Sequence, residues 1–517
     1  MSRSQAVRAG TRLLVSLALL CLSSLLALVI GVGVFSWSVR ARLERGLLIL
    51  VQQEGVSAET FNIYYFGSST MAGEPYRPEA SIPRIVEELL DKKVLGRRIR
   101  SVNLGQVGAD FAYSLERLRQ VVRNKSVSHP SLAVIYAGHN EFLKYDGCTA
   151  RLFMGLPPGY VELAERVDGL LSPLEIDQRR FLDVGVVGAQ ERLAVFERYR
   201  SELREAIALL TANDIPVIVS TLASNVADWE PNRSVFCGDK GMPEEFGRQV
   251  ERGRDLESRG DLRAAIAAYN DALGICGSVA EIHYRMASCY RRLREPIQAW
   301  GEFQQALDED GMPIRATSDI NDFIRGVGDG RLVTTVDAVR RLRERSADGL
   351  IGFDLMIDAH HPNLKGYVLI SELIAQEIRR RFPSVGDTVR TIDEAEAVTR
   401  FGIDQRKNFE VAVSSGRWFT RLATWRYDPR DRLSRAEAFF RQANELDPAR
   451  YEPYVGLAMV QFLRGDAAGG ESRVAFARKV NAEDVDSYFR GGWARRVRER
   501  AHEATATGRS VPLGQWR

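Results

Sequence analysis

The stretch Phe-Asn-Ile-Tyr-Tyr-Phe-Gly-Ser-Ser-Thr at residues 61–70 constrains the fold of this 517-residue chain more than any other. Five apolar or aromatic residues and one asparagine predict a buried strand, and the small residues after them predict an abrupt turn. A turn at the carboxyl end of a strand in an α/β sheet presents its side chains to the crevice where ligands bind. We therefore expect Ser69 to be exposed there, close to the amides that open the next helix.

Strand-like and helix-like patterns alternate through much of the chain. Apolar runs predict three further strands, at 98–104, 132–136 and 215–221. Helical spacing predicts helices at 82–90, 111–123, 189–210 and 364–381. This alternation indicates a parallel sheet with helices on both faces, which is an α/β domain.

From about residue 243 to 312 the pattern is helical throughout, and it repeats. Ala265, Tyr269 and Ala272 recur 34 residues later as Ala299, Phe303 and Ala306. A second pair of units has the same register, with Ala436, Phe440 and Ala443 followed by Gly470, Val474 and Ala477. Small residues let two helices approach, and the aromatic ring fills the gap between them. The register resembles tetratricopeptide repeats, which usually bind a peptide or protein, and an ordinary helical bundle is the alternative.

These patterns divide the chain into five predicted segments. They are a signal anchor at 1–45, a first part of the α/β domain at 46–242, inserted helical repeats at 243–312, a second part of the α/β domain at 313–385, and a C-terminal helical module at 386–517.

The amino terminus has the pattern of a membrane anchor. Arg3, Arg8 and Arg12 precede a charge-free and mostly apolar run at 13–37. As a helix this run spans ~37 Å, against ~30 Å of bilayer hydrocarbon, so it would cross once with some tilt. A cleaved signal peptide is the alternative, but its apolar region is shorter, at about 7–15 residues. We expect a single-pass membrane protein whose remaining residues lie outside the cytoplasm, in the periplasmic or extracellular space.

Composition and cysteine usage constrain the function only weakly. The net charge is +3 and the arginines are scattered, so nothing in the charge pattern indicates a nucleic-acid partner. Cys148 and Cys237 lie in loop-like sequence, and a bridge between them would suit an oxidising compartment. Cys276 and Cys289 fall on helical patterns and are equally well explained as buried free thiols. Several pairings of these four cysteines stay open.

Polar residues at the predicted strand ends form a set suited to acyl transfer. Ser69 is the candidate nucleophile, and a serine hydroxyl needs a base to take its proton. His361 could be that base, and Asp358, three residues earlier, would fix its tautomer. The backbone N–H of Gly108 and the side-chain amide of Asn140 could hold the oxyanion, where losing one donor costs about 10²–10³ in rate.

Four of these segments resemble the ordered blocks of the SGNH or GDSL hydrolase superfamily. Here the blocks read Gly67-Ser68-Ser69, Gln106-Val107-Gly108, Gly138-His139-Asn140-Glu141 and Asp358-Ala-His-His361. The resemblance covers about 61–381 without the inserted helices. It implies a flavodoxin-like three-layer fold and a serine hydrolase without cofactor or metal. For the site residues, it implies that Ser69 is the nucleophile, that His361 is the base and that Asp358 is the carboxylate partner of His361. It also implies that Ser69, Gly108 and Asn140 donate to the oxyanion.

The sequence departs from the superfamily pattern at two positions and leaves rival assignments. Ser68 and Glu141 stand where the superfamily has aspartates, so Ser68 is a rival nucleophile. His360 is a rival base, or a packing or substrate-lining residue, although the Asp-x-x-His-Pro register favours His361. Asn225 follows the fourth strand and either lines the site or caps its own loop. Adjacent histidines project in different directions, which disfavours a metal site at this pair.

Three functions fit these observations. The first is a membrane-tethered esterase or deacylase that acts on a glycan, a lipid or a small ester, acetyl esters included. The second is an O-acyltransferase that passes the acyl group to a hydroxyl of an envelope glycan. The third is a non-catalytic scaffold that works through its repeats. The complete set of candidate catalytic residues favours the first two, and the repeats predict a protein partner.

Overall fold

The computed structural model describes residues 55–123, 129–143, 186–237, 242–384, 388–424, 426 and 429–507. The predicted signal anchor at 13–37 and Cys148 lie outside these residues. Within the described ranges, no helix combines the length and the apolar character needed to span a bilayer.

A mostly parallel sheet lies at the centre of the α/β domain. Its strands are β1 Phe61–Gly67, β2 Lys93–Val94, β3 Arg97–Asn103, β4 Ser131–Tyr136, β5 Val217–Ser220 and β6 Val333–Val336. The order across the sheet is β2-β3-β1-β4-β5-β6, and only the β2–β3 pair of the described strands is antiparallel. Without the two-residue β2, this is the strand order of a flavodoxin-like sheet.

Strand β1 fixes where a ligand can bind. All its residues are buried, as expected of a parallel strand covered on both faces. Tyr65 of β1 lies opposite Asn103 of β3 on one side and Val134 of β4 on the other. The chain leaves β1 for β3 and then returns past β1 to β4, so the two connections cover opposite faces. The crevice at this switch point opens at the carboxyl ends of β1 and β4.

Helices cover the sheet and form the repeats. Those of the described residues are Ser69–Ala72, Ile82–Leu89, Phe111–Arg123, Ala189–Thr211, Glu244–Arg259, Leu262–Cys276, Ala280–Arg292, Pro296–Asp308, Ser318–Arg325, Ala338–Arg345, Leu364–Arg381, Glu394–Phe401, Gln405–Ala423, Arg430–Leu446, Glu452–Leu463, Ala467–Val480, Ala482–Arg490 and Gly492–Thr507. Ile82–Leu89 packs on Leu364–Arg381, whereas Phe111–Arg123 packs on Ala189–Thr211. The α/β class and the predicted mixture of parallel sheet and helices are therefore present.

Strand β6 is the main element that the sequence patterns do not predict. Its four residues, Val-Thr-Thr-Val, are only half apolar, and the two threonines are partly exposed. β6 pairs with β5 at the edge of the sheet, where one side of the strand needs no partner. A short edge strand has too little apolar surface to give a period-2 signal in the sequence.

The helical register predicted from the repeat is confirmed by burial. All twelve small, apolar or aromatic positions of the four units are buried. The spacing between helices depends on glycine at several contacts. A Cβ added at Gly253 would lie 2.4 Å from the ring of Tyr269, and one at Gly456 would lie 2.3 Å from the ring of Phe440. These helices therefore approach more closely than a side chain would allow.

The C-terminal helices pack on loops that leave the sheet. Trp229, which follows β5, is 1% exposed and lies 5.3 Å from Phe419 between ring centroids. The guanidinium of Arg432 lies 4.3 Å from the centre of the Trp229 ring and donates hydrogen bonds to the carbonyls of Glu230 and Leu422. Ala359 belongs to the same buried cluster. The C-terminal helices and the loops at the sheet edge therefore share one apolar core.

The expected bridge between Cys148 and Cys237 is wrong, because Cys237 pairs with Cys276. Cys276 ends the helix Leu262–Cys276, and the loop before Glu244–Arg259 brings Cys237 within 4.5 Å of it between Cα atoms. The bridge thus closes the first helix pair of the inserted repeats. The free-thiol interpretation is confirmed for Cys289, which is buried and unpaired within the described residues, and is wrong for Cys276, which forms the bridge.

We predict that Gly456→Ala destabilises the C-terminal helices by about 1–3 kcal/mol, because the new Cβ overlaps the buried ring of Phe440. Gly301→Ala is the matched control, since Gly301 also lies inside a helix but is exposed with no atom within 4 Å of the added Cβ. That control should gain about 0.5–1 kcal/mol from lower backbone entropy in the unfolded state. Urea denaturation followed by circular dichroism measures both, and equal effects would contradict the tight helix contact.

Candidate active site

The turn after β1 is tight enough to require glycine at its first position. A Cβ added at Gly67 would lie 2.3 Å from the carbonyl oxygen of Tyr136 and 2.7 Å from the Cβ of Met71. The chain then enters the one-turn helix Ser69–Ala72, so the N–H of Ser69 has no partner within that helix. The hydroxyl of Tyr367 donates to the carbonyls of Thr70 and Glu74, which anchors this turn on the helix Leu364–Arg381.

Ser69, His361 and Asp358 form a continuous hydrogen-bonded chain. Ser69 Oγ lies 2.7 Å from His361 Nε2, and His361 Nδ1 lies 2.7 Å from Asp358 Oδ2. The other carboxylate oxygen, Asp358 Oδ1, accepts from the backbone N–H groups of His360 at 3.0 Å and His361 at 2.8 Å. Asn363 caps the following helix by accepting from the N–H of Gly366. The loop before this helix therefore holds the carboxylate and the imidazole in one fixed geometry.

The electrostatics of the pair favour a negative Asp358 and a basic His361. Burial by itself would raise the pKa of Asp358, but the neighbouring His361 and the hydrogen bonds lower it to about 2. Burial would likewise lower the pKa of His361, but the Asp358 carboxylate outweighs it and holds that pKa above its usual value. His361 is thus neutral above this raised pKa and is positioned to take a proton from Ser69.

Of the two further oxyanion candidates, Gly108 lies on a loop that contacts the turn with Ser69, and Asn140 contacts that loop. The N–H of Gln106 donates to the carbonyl of Gly67 at 3.1 Å, which brings the loop with Gly108 against the turn. Gly108 has φ +74°, a left-handed conformation that favours glycine. Asn140, at the end of β4, donates from Nδ2 to the carbonyl of Ala109 at 3.0 Å. The amide of Asn140 has a second N–H that this bond leaves available.

Glu141, one of the two departures from the superfamily pattern, joins these loops. Its Oε1 accepts from the N–H of Phe111 at 2.9 Å, at the start of the helix Phe111–Arg123. Arg198 donates to the backbone carbonyl of Glu141, and its guanidinium lies 3.7 Å from Oε2. Burial, together with the nearby Asp110, raises the pKa of Glu141 to about 8, although Arg198 opposes the shift. Ionising this buried carboxyl group therefore costs folding free energy.

The structure distinguishes between the rival assignments by position. The expected exposure of Ser69 is wrong, because Ser68 and Ser69 are both buried, with 2% and 3% of their surface exposed. They differ in their contacts: Ser68 Oγ has no hydrogen-bond partner among the described residues, whereas Ser69 Oγ contacts His361 Nε2. Asn225 is fully buried, and its Oδ1 accepts from the N–H of Asp228 at 2.9 Å, which is the loop-capping contact.

Asp358, His360 and His361 form the group of potential metal ligands within the described part of the chain. Their ligand atoms lie within 4.8 Å of one another. In this arrangement both ring nitrogens of His361 already contact other side chains, Asp358 and Ser69. The geometry therefore suits proton transfer better than cation binding.

His139 is a residue near the site to which the sequence patterns assigned no role. Its ring stacks on that of His360 with centroids 4.9 Å apart, and the ring of His360 lies 4.2 Å from that of His361. Its Nδ1 accepts from the N–H of Ala316 at 3.1 Å. One signal in the sequence could have pointed to this pair: His139 immediately precedes Asn140, and His360 immediately precedes His361.

Comparisons with known proteins give structural likenesses only. No protein-family model matches the chain, and no curated protein matches it. Among solved structures, it is similar to a GDSL-like lipase from Bacteroides thetaiotaomicron, with 13% identity, TM-score 0.29, and coverage of 62% of this chain and 89% of the other. A putative acylhydrolase from Bacteroides fragilis matches with 15% identity, TM-score 0.27, and coverage of 64% and 95%.

The helical part has likenesses of a different kind. The tetratricopeptide-repeat protein YrrB, described as having an unusual peptide-binding site, matches with 14% identity and TM-score 0.13. The match covers 45% of this chain and 85% of that protein. TM-scores this low do not establish a common fold, so the proposal below stands on the strand order and on the geometry of the site.

We predict that Glu141→Gln reduces the loss of stability at alkaline pH. The pKa of Glu141 is about 8 in the folded protein against 4.5 for the free side chain, so its contribution is complete below about pH 4.5 and is lost as pH rises through 8. Glutamine keeps an acceptor for the N–H of Phe111 and cannot ionise. The free energy of unfolding of the wild-type chain should therefore fall by on the order of a few kcal/mol between about pH 5 and 9, and that of the variant by less.

Denaturant titrations across this pH range measure the difference. Glu202, whose pKa burial raises to about 7, keeps part of the slope in the variant. The exposed Glu59→Gln is the control for loss of one negative charge, and it should retain the wild-type slope. Parallel curves for wild type and Glu141→Gln would contradict the interpretation of Glu141 as a buried ionisable group.

Proposed function

We propose that this protein is a serine ester hydrolase of the SGNH type that acts through an acyl-enzyme. The observation that carries the proposal is the chain from Ser69 Oγ to His361 Nε2 and from His361 Nδ1 to Asp358 Oδ2, with both distances 2.7 Å. Its position at the switch point of a flavodoxin-like sheet, where such folds bind ligands, supports the same function.

The proposed reaction begins with attack of Ser69 Oγ on the ester carbonyl carbon. His361 Nε2 takes the hydroxyl proton, and Asp358 stabilises the resulting imidazolium. The N–H groups of Ser69 and Gly108 and the second N–H of the Asn140 amide would donate to the oxyanion. The C–O bond then breaks, and His361 gives its proton to the departing alcohol oxygen. In the second half, water attacks the acyl carbon while His361 takes its proton. The bond to Ser69 Oγ then breaks, His361 returns the proton to Oγ, and the acid leaves.

Short acyl groups are the proposed substrates, acetyl esters included. The chain neighbours of Ser69, which are Ser68 and Thr70, and the carboxylate of Asp358 that contacts His361 are small or polar. A lipid esterase would instead need a long apolar groove beside the nucleophile. We also propose that the enzyme is held at the membrane by its amino-terminal anchor, faces the outside of the cytoplasm, and binds a protein partner through its helical repeats.

We predict that Ser69→Ala abolishes both hydrolysis of p-nitrophenyl acetate and labelling by a fluorophosphonate. Ser68→Ala is the matched control because Ser68 Oγ is buried next in the chain yet has no contact with His361. It should keep the label. Faster turnover of the acetate than of the octanoate ester would support short acyl groups. Absence of labelling in the wild-type full-length chain would eliminate the hydrolase and leave the scaffold function.

We predict that Asp358→Asn lowers kcat by about 10⁴, because the amide cannot hold the imidazole in the required tautomer or stabilise its positive charge. The Asp358 carboxylate raises the pKa of His361, so its loss should also move the acid limb of kcat/KM to lower pH. Asp354→Asn, in the same loop, is the control and should keep both values. An acid limb unchanged in Asp358→Asn would show that another group is the base.

A further inference from the structure

Three imidazole rings lie in a column beside Ser69, with the first pair stacked and the second pair tilted. The centroids of His139 and His360 are 4.9 Å apart with an interplanar angle of 28°, and those of His360 and His361 are 4.2 Å apart with an angle of 42°. His139 and His360 are 0% and 3% exposed. Only the last ring of this column touches the nucleophile, so the proposed reaction uses His361 and leaves the other two unexplained.

The two inner rings are held uncharged. The N–H of Ala316 donates to Nδ1 of His139, so the neutral tautomer has its proton on Nε2. Burial, followed by the positive charge that His361 can hold, lowers the pKa of His139 to about 3 and that of His360 well below its usual value. Within the column, positive charge therefore accumulates on His361 alone.

His139 Nε2 and His360 Nδ1 are buried without a hydrogen-bond partner among the described residues. His360 contacts His361 through its ring rather than through a hydrogen bond. The face of an electron-rich neutral ring attracts a cation within about 6 Å of its centre, and His361 becomes a cation in the transition state.

We propose that His360, supported from behind by His139, is a positioning residue that holds the His361 ring toward Ser69 and stabilises its positive charge through the ring face. The inference deepens the proposed function and rests on it. The titratable and charged groups that face His361 and His360 are Asp358 on the same loop, Glu74 after the nucleophile turn, His139 after β4, and Arg315 after the inserted helices. Substitutions at His360 leave all four in place.

The experiment compares His360→Phe with His360→Leu in the full-length chain. Phenylalanine keeps an aromatic face and leucine keeps volume without one. Neither leaves a partner of His360 Nδ1 unsatisfied, because that atom has none within the described residues. The second-order rate of Ser69 labelling by a fluorophosphonate is measured against pH, and kcat and KM are measured with p-nitrophenyl acetate. Thermal denaturation verifies that each variant folds, and His360→Gln replaces the leucine variant if that one does not.

We expect the phenylalanine variant to follow the wild-type pH profile. The leucine variant should label about threefold to tenfold more slowly on the plateau, with its acid limb about half a pH unit lower and KM unchanged. Coincident profiles for leucine and wild type would overturn the inference. So would a phenylalanine variant with raised KM, because His360 would then bind substrate.

A second readout separates this inference from the proposed function. The ring resonances of His361 in histidine-labelled protein, assigned with His361→Ala, report its pKa without any reaction. A lower pKa in His360→Leu but not in His360→Phe supports the column even if wild-type Ser69 takes no label. Absence of labelling at wild-type Ser69 would contradict the proposed hydrolase function, and only the electrostatic coupling between His360 and His361 would then stand. An equal pKa in all three proteins overturns the coupling.

Discussion

The hydrogen bond between Ser69 Oγ and His361 Nε2 joins two loops that are 292 residues apart in the chain. No local preference can make such a contact, so it depends on the sheet order and on the helix Leu364–Arg381. That helix packs beside Ile82–Leu89 and anchors the turn that carries Ser69 through the hydroxyl of Tyr367. The hydrogen bond therefore requires the whole α/β domain to be correctly packed, because a shift of either loop by about 1 Å would break a bond of this length.

Two buried carboxyl groups, those of Asp358 and Glu141, differ in how readily they ionise. Asp358 stays ionised because two backbone N–H groups and His361 offset the cost of removing it from water. Glu141 has one backbone donor and a more distant guanidinium, and burial prevails there. Two carboxyl groups in the same domain thus have pKa values of about 2 and about 8. At Asp358 the charge interaction and hydrogen bonds with His361 outweigh burial, whereas at Glu141 burial and the like charge of Asp110 outweigh Arg198.

Much of the fold and of the site could be predicted because the relevant residues lie beside local signals. Ser69 and Asn140 follow apolar strands, and Asp358 and His361 immediately precede a strongly helical pattern. The structure joins Ser69, His361 and Asp358 in one hydrogen-bonded chain. The pairing of Cys237 with Cys276 could not be predicted, because it depends on how one helix pair closes. The stacking of His139 on His360 likewise needs the register of β4 against a distant loop. β6 was missed because half of its residues are polar.

The 292-residue separation of Ser69 and His361 also has a consequence in time. At about 5–20 residues per second, a ribosome would complete Ser69 roughly 15–60 s before His361. Ala359, in the loop that carries His361, packs in one core with Phe419 and Leu433, which are synthesised later still. Through most of its synthesis, and during any coupled export, the nascent chain would therefore carry an unactivated serine. The proposed activity would therefore arise only after the C-terminal part of the chain has been made.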